Sequence, residues 1–476
     1  MAMRRVQTNT GGGACLDGSA PTLYYAPAQS ADTNGSWLLF LQGGGWCVDA
    51  EACWFRSNTA AGSTVTRGEA TSVSIGGLLS GDASVNPDFH GFHRALLRAC
   101  DGSSFTSSPQ AGVRAGGLQH DGRRVLWALL HTLMRLGLRH ATDVLWGGHS
   151  AGGLAATLYA DHVHDWLAAR NHHLDTFKLL SVSGHFVQSE GGCSLQPKGR
   201  PDPWGCPWLR AVHALVALHR TSPSLEELAP ACIRSKRQAE KWRCFFANES
   251  AASVQVPAFL LSSGLDSWQL MNIWRIDGAC WRSGFVSCTQ PELARFNSFY
   301  QKFVSETNVW TNRPGNGRFI HSCLEHGAAL EDRPFSGIAV AGVSMREAIG
   351  QWWRSRSASI APLGSHTHVQ SVALRTIHGK AVQTANSNPT CAGLQHRTGF
   401  RPEWWFENTG VIASSNSTTT TFRRKPNGPL YTYTQPLAFR VSPKARSGAK
   451  ANTLPGMRRA AGRCTSPYVC APLRLV

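Results

Sequence analysis

Residues 144–153, VLWGGHSAGG, run from a short apolar strand directly into a serine hemmed by glycines, and residues 154–160, LAATLYA, continue as a helix. Gly148, His149, Ser150, Ala151 and Gly152 fit G-x-S-x-G, the turn that lifts a serine hydroxyl to the edge of a parallel sheet. Such a turn dictates its neighbours. A serine on so sharp a bend is strained, and the residues beside it cannot carry a Cβ that would strike strand or helix. The helix that begins after it offers unpaired N–H groups and a positive dipole end to a developing negative oxygen.

The surrounding sequence supplies the sheet that this turn needs. Residues 37–41 (WLLFL) form a continuous apolar run ended by three glycines, 43–45, which reads as a buried strand. Val125, Leu129, Leu133 and Leu136 recur at helical spacing, with Arg124, Arg135 and Arg139 off that stripe. Residues 178–183 (KLLSVS) and 257–261 (PAFLL) are two further strands. Alternating strands and helices predict a mostly parallel sheet covered by helices on both faces, an α/β-hydrolase-like domain over residues 14–355. Residues 1–13 read as an N-terminal extension. The chain has 476 residues, enough to bury such a core, and no apolar run approaches the ~18 residues that span a bilayer. No internal repeat is present.

After Trp352 and Trp353 the composition changes. Residues 356–476 hold Ser/Thr/Asn-rich stretches, scattered Pro and Arg, and little amphipathic periodicity, and they read as a disordered basic low-complexity tail. From Arg354 to Val476 seventeen Lys/Arg face two acids, Glu403 and Glu407, a surplus of 15 that leaves +3 of the net +18 for residues 1–353. The body is therefore nearly neutral, and the overall charge gives it no nucleic-acid role. The tail is expected to add no catalytic group and to pack poorly, so that a chain ending near Ile360 folds and stays active.

Fourteen cysteines include four close pairs: Cys47 with Cys53, Cys193 with Cys206, Cys232 with Cys244, and Cys280 with Cys288. None forms a paired CxxC or Cys/His zinc array, so a metal site is not expected. Short-range pairs predict disulfide-stapled loops and an oxidising compartment. Asn34, Asn248 and Asn416 begin glycosylation triplets. The start of the chain, basic at Arg4 and Arg5, has no apolar signal core. The cysteines outweigh that feature: the protein is expected to be secreted or lumenal, with a leader upstream of Met1.

A nucleophilic serine needs a base, a group that orients the base, and donors for the oxyanion, and on this type of sheet the acid and histidine follow the serine in that order. Asp266 falls just past an apolar strand, at the carboxyl edge where open α/β sheets place their sites. Asp266 also suits a helix N-cap. Downstream, residues 317–327 (GRFIHSCLEHG) contain both His321 and His326, and spacing alone does not choose between them. His149 reads as a packing residue of the elbow. Glycines 43–45, after the first strong strand, let backbone amides approach a substrate oxygen.

These segments resemble the pectin acetylesterase/Notum family of carbohydrate- and lipid-ester hydrolases. The resemblance covers roughly residues 14–353. It lies in residues 15–21 (CLDGSAP), 43–47 (GGGWC) with Cys53, 100–105 (CDGSSF), 149–154 (HSAGGL), 266–269 (DSWQ) and 322–326 (SCLEH). It implies Ser150 as nucleophile, Asp266 as orienting acid and His326 as base. It also implies an oxyanion hole from the amides of Gly44, Gly45 and Ala151. Members are secreted or lumenal, disulfide-rich, and independent of metal or cofactor. The LDGS and triple-glycine forms look closer to the plant-type esterases than to Notum. Two positions depart from the pattern: Gln42 stands where Glu is usual, and Gly327 where plant-type members commonly carry Cys.

The resemblance implies a serine carboxylesterase that removes small acyl groups, most simply acetyl, from an acetylated polysaccharide such as pectin. The alternatives are a Notum-like deacylase of a lipidated protein, a binding protein that keeps the fold without turnover, and a basic tail that docks on anionic surfaces.

Overall fold

The structure is a computed structural model. It describes residues 2–8, 12–65, 70–108, 117–188, 207–274, 276 and 288–355, then 366–370, 388–391 and short strand segments between 374 and 441. One ten-stranded sheet organises the molecule, in the order β12-β9-β8-β7-β6-β3-β5-β2-β1-β4. Its strands are β1 (Met3–Gln7), β2 (Thr22–Ala26), β3 (Ser36–Leu41), β4 (Ser72–Val73), β5 (His93–Leu97) and β6 (Asp143–His149). They continue with β7 (Thr176–Val182), β8 (Ala258–Ser263), β9 (Gly317–His321) and β12 (His366–Val369), while β10 (Ala339–Val340) and β11 (Val343–Ser344) form a separate hairpin. From β12 to β5 every pairing is parallel, whereas β2, β1 and β4 extend the β5 edge antiparallel.

Period-two alternation sends neighbouring side chains to opposite faces. On β3, Leu39 and Leu41 join the cluster containing Val125, Leu129, Leu133 and Leu154, from α2 (Gly122–Arg135) and α3 (Ala151–Ala168). Leu38 and Phe40 join the opposite cluster with Phe259, Phe319, Met345, Ile349 and Trp352. Both faces are covered, as the apolar runs predicted. Lys178, buried on β7, is accommodated because its ammonium donates to the carbonyls of Trp352, Trp353 and Ser355 at the end of the helix Met345–Arg354. Burial lowers its pKa to about 8.

The sheet takes in strands on both sides of residues 14–355. The residues taken for an extension include β1, which pairs with β2 from Arg4↔Tyr25 to Gln7↔Thr22 and buries Met3 in the core. Beyond residue 355, β12 pairs in parallel with β9, from His366↔Gly317 to Val369↔Ile320, and Cys391 is bonded to Cys323. Low apolar periodicity hid an edge strand whose register is set by a neighbour rather than by its own pattern. Further on, Val411–Ser414 pairs with Ala438–Val441 and Thr419–Arg423 with Leu430–Thr434. Most of residues 392–476 lie outside the described residues.

Two of the four anticipated cysteine pairs are formed, Cys47–Cys53 and Cys232–Cys244. Cys288 is also oxidised, while Cys193, Cys206 and Cys280 lie outside the described residues. Two longer bridges, Cys15–Cys100 and Cys323–Cys391, span 85 and 68 residues, distances at which spacing carries no pairing signal. No described cysteine is free.

The Cys323–Cys391 bridge closes a long loop and anchors the segment that carries His326. Replacing both cysteines with serine is expected to lower stability by about 2–5 kcal/mol. A chain ending at Ile360 loses this bridge and β12, and should lose more. Thermal unfolding that matched the intact protein would show that neither element holds the body together.

Candidate active site

β3 lies between β5 and β6, and the chain crosses past it on the way from β5 to β6, so strand order reverses where the carboxyl ends of β3 and β6 lie side by side. Open α/β sheets leave a crevice there. The glycine loop follows β3, Ser150 follows β6, Asp266 lies beyond β8 and His326 beyond β9. Register brings them together: Leu41 is opposite Gly148, and Ser263 is opposite His321.

Ser150 has φ 57°, a left-handed conformation that costs a β-substituted residue energy and persists only when its surroundings enforce it. Its amide donates to the Val182 carbonyl at 2.8 Å. A Cβ on Gly148 would strike the Gly152 carbonyl, and one on Gly152 would strike that of Leu41, so α3 reaches the sheet only because both are glycine.

The Ser150 hydroxyl lies 2.8 Å from His326 Nε2, and His326 Nδ1 lies 2.7 Å from Asp266 Oδ2. An ionised carboxylate only accepts, so the proton between them sits on Nδ1 and leaves Nε2 as acceptor for the serine O–H. Asp266 is fully buried, and its other oxygen accepts the Gln269 amide at 2.9 Å. It is therefore both the N-cap of the helix Ser267–Asn272 and the partner of His326. Gln269 in turn holds the loop at His185 and Val187 through its side-chain amide.

Burial alone would lower the His326 pKa, but the charge and hydrogen bond of Asp266, with the Glu325 charge, raise it above the ordinary 6.5. The role of base expected for His326 requires a neutral ring that can accept a proton, so activity is expected to fall as pH drops through a value above 6.5. Asp266→Asn removes the favourable charge, moves that acid limb to lower pH, and leaves a rate lower by about 10⁴. The pH profile of kcat/KM measures both, and an acid limb at or below the ordinary histidine value in the native protein would contradict the arrangement.

His321 is placed elsewhere. Its Nδ1 accepts the Cys323 amide at 3.2 Å, so its proton is on Nε2, which faces Glu325 Oε1 at 3.0 Å. Burial raises the Glu325 pKa, but the bond and charge of His321 reverse the shift and leave it lowered. His149 packs its ring 5.0 Å from the His326 ring, and its Nε2 donates to the His326 carbonyl at 3.2 Å. Burial and the neighbouring His326 hold its pKa well below the ordinary value.

Gly44 and Gly45 take φ of 131° and 66°, which suits glycine. Among the described hydrogen bonds, the amides of Gly44, Gly45 and Ala151 donate to none, and Ala151 begins the 18-residue α3. A concentration of open donors beside the serine suits an oxyanion. Two supports of this loop were not singled out from the sequence. Ser104, at φ 57°, accepts from Trp46 Nε1 and donates to the Ala151 carbonyl, both at 2.7 Å. Arg56 donates to the carbonyls of Gly44 and Gly45. Its position three residues after Cys53 on one helix was the available signal. At Gln42, the side-chain oxygen lies 3.5 Å from Arg98 Nε. Gly327 adopts φ 127°, and Cys323 is bridged to Cys391 instead.

Aromatic rings pack around the imidazole. Trp46 meets Phe186 at 4.9 Å, Trp208 at 5.7 Å and Trp268 at 5.9 Å, and Trp268 stacks on His326 at 6.0 Å. One group among the described residues has metal-ligand spacing, Cys47, Cys53 and His219. Its sulfurs are bonded to each other, and His219 Nε2 donates to the Cys47 carbonyl at 2.8 Å, so neither thiolates nor that nitrogen lone pair is available.

An elbow serine, an imidazole and a buried carboxylate at the crevice of a mostly parallel sheet make up the architecture of an α/β serine hydrolase. Residues 1–370 match the Pectinacetylesterase family, and the chain belongs to that family of carboxylic ester hydrolases. It is 31% identical to pectin acetylesterase 7 of Arabidopsis thaliana over 358 residues, covering 73% of this chain and 85% of that protein. Pectin acetylesterase 11 of the same plant is 29% identical over 394 residues, 80% of this chain and 90% of its own length. Palmitoleoyl-protein carboxylesterase notum1' of Xenopus laevis is 23% identical over 392 residues, 81% of this chain and 73% of that protein. The family and the several disulfides point to the secretory pathway. No helix among the described residues is long and apolar enough to cross a membrane.

Proposed function

We propose that this protein is an extracellular serine esterase that removes acetyl groups from an acetylated polysaccharide, pectin being the simplest candidate. The hydrogen-bonded series Ser150–His326–Asp266 carries the reading. His326 Nε2 takes the serine proton as Oγ attacks the ester carbonyl. The resulting oxyanion is held by the amides of Gly44, Gly45 and Ala151. Collapse expels the sugar oxygen, which takes the proton from the imidazolium and departs as a hydroxyl, and leaves an acyl-serine. Water, deprotonated by the same nitrogen, then releases acetate.

The rings of Trp46, Phe186, Trp208 and Trp268 contact one another at the imidazole, with Phe186 and Trp208 buried. Rings that fill space against each other favour a short acyl group over a long chain. The similarity to the palmitoleoyl-protein carboxylesterases keeps lipid removal as the second reading.

Acetate and octanoate p-nitrophenyl esters separate the two. The acetate is expected to be preferred in kcat/KM by at least about tenfold, a discrimination that a filled apolar pocket reaches at about 1–3 kcal/mol. The protein should also release acetate from acetylated pectin. A preference for octanoate, with no acetate released from pectin, would favour the deacylase reading.

A further inference from the structure

We propose that Arg56 is a positioning residue for ester hydrolysis: its guanidinium holds the Gly44–Gly45 peptide in the one orientation that aims the oxyanion-binding amide of Gly45 at the substrate. The proposal rests on the reading of Ser150 as nucleophile and extends it to a residue that touches no substrate atom.

The geometry starts from a disulfide. Cys47 ends the glycine loop, and Cys53 lies in α1 (Ala50–Ser57), so their bridge ties the loop to that helix. Arg56 follows Cys53 by three residues, on the same side of α1. From there its Nη2 donates to the Gly44 carbonyl at 2.8 Å and to the Gly45 carbonyl at 3.2 Å, while Nε donates to the Ala61 carbonyl at 3.1 Å. The guanidinium is thus anchored at one end and clasps two consecutive loop carbonyls at the other.

A trans peptide is planar, with its C=O and N–H pointing in opposite directions. A grip on the Gly44 oxygen therefore aims the Gly45 N–H away from Arg56, and a grip on the Gly45 oxygen does the same for the Trp46 N–H. The loop begins against the nucleophile, since a Cβ on Gly43 would lie 2.8 Å from the Ser150 Cβ. Without a clasp, the peptide between two positive-φ glycines turns at little steric cost. A turned peptide would present a carbonyl oxygen, not an N–H, to the developing negative charge.

The clasp is also kept charged. Burial lowers the Arg56 pKa to about 10, and the nearby Asp101 carboxylate opposes that shift, so Arg56 remains a cation at neutral pH. Asp101 is itself fixed by the Ser103 amide at 3.0 Å and the Phe105 amide at 2.8 Å.

The test compares Arg56→Met and Arg56→Lys with the native protein on p-nitrophenyl acetate, together with inhibition by methylboronic acid, whose boron accepts Ser150 Oγ and becomes a tetrahedral anion. Arg56→Met is expected to lose about 10²–10³ in kcat, the effect of losing an oxyanion donor, with KM within about threefold. Its boronate affinity should fall in parallel. Arg56→Lys keeps the charge and the packed stem but offers a single point donor, and should fold normally with a kcat roughly tenfold down. A purely structural role would lower the melting temperature without separating kcat from KM. Native kcat and boronate affinity in folded Arg56→Met, or in Arg56→Lys should Arg56→Met fail to fold, would overturn the proposal. An inactive native protein, or an active Ser150→Ala, would instead defeat the reading of the nucleophile.

Discussion

Ser150→Ala is expected to reduce ester hydrolysis by roughly four orders of magnitude or more while leaving the fold intact. The elbow is built by Gly148 and Gly152, by the bond from the Ser150 amide to Val182, and by the docking of α3, none of which needs the hydroxyl. Alanine removes the oxygen proposed to attack the ester and leaves His326 and Asp266 paired. Turnover within about tenfold of native by a folded variant would remove Ser150 from the reaction.

His326→Ala should cost about as much, because the serine then keeps its proton and the leaving group receives none. His321→Ala sets the contrast. It breaks the buried pair with Glu325, which is expected to cost about 1–3 kcal/mol of stability, while kcat stays within about tenfold of native. The two variants share a loop, so their difference isolates the role of the ring bonded to Ser150 from that of the loop's integrity. Reversed effects would assign the base to His321.

The elbow was legible from the glycines its sharp turn requires, the strands at 37–41 and 178–183 from apolar runs buried on both faces, and α2 from the amphipathic stripe it turns to the sheet. Asp266 could be located but not assigned a single role, and the structure explains why: one carboxylate oxygen caps a helix while the other holds the imidazole. His321 and His326 differ in which element lies opposite them in space, and spacing along the chain does not encode that.

Arg56 and Ser104 were harder still. Each acts on a backbone group rather than on another side chain, and a backbone carbonyl leaves no trace in the residue pattern. The two strands outside residues 14–355 left as little trace. β1 and β12 are short sheet-margin strands with basic or histidine-rich sequences, Arg4 and Arg5 in one, His366 and His368 in the other. Their pairing is enforced by β2 and β9.

The most direct measurement is the site of covalent capture. A fluorophosphonate probe, followed by digestion and mass spectrometry, should place one adduct on the peptide carrying Ser150, absent in Ser150→Ala and strongly slowed in His326→Ala. Native protein that hydrolyses p-nitrophenyl acetate yet carries the adduct on another residue, or stays unlabelled, would contradict the assignment of Ser150 as the nucleophile.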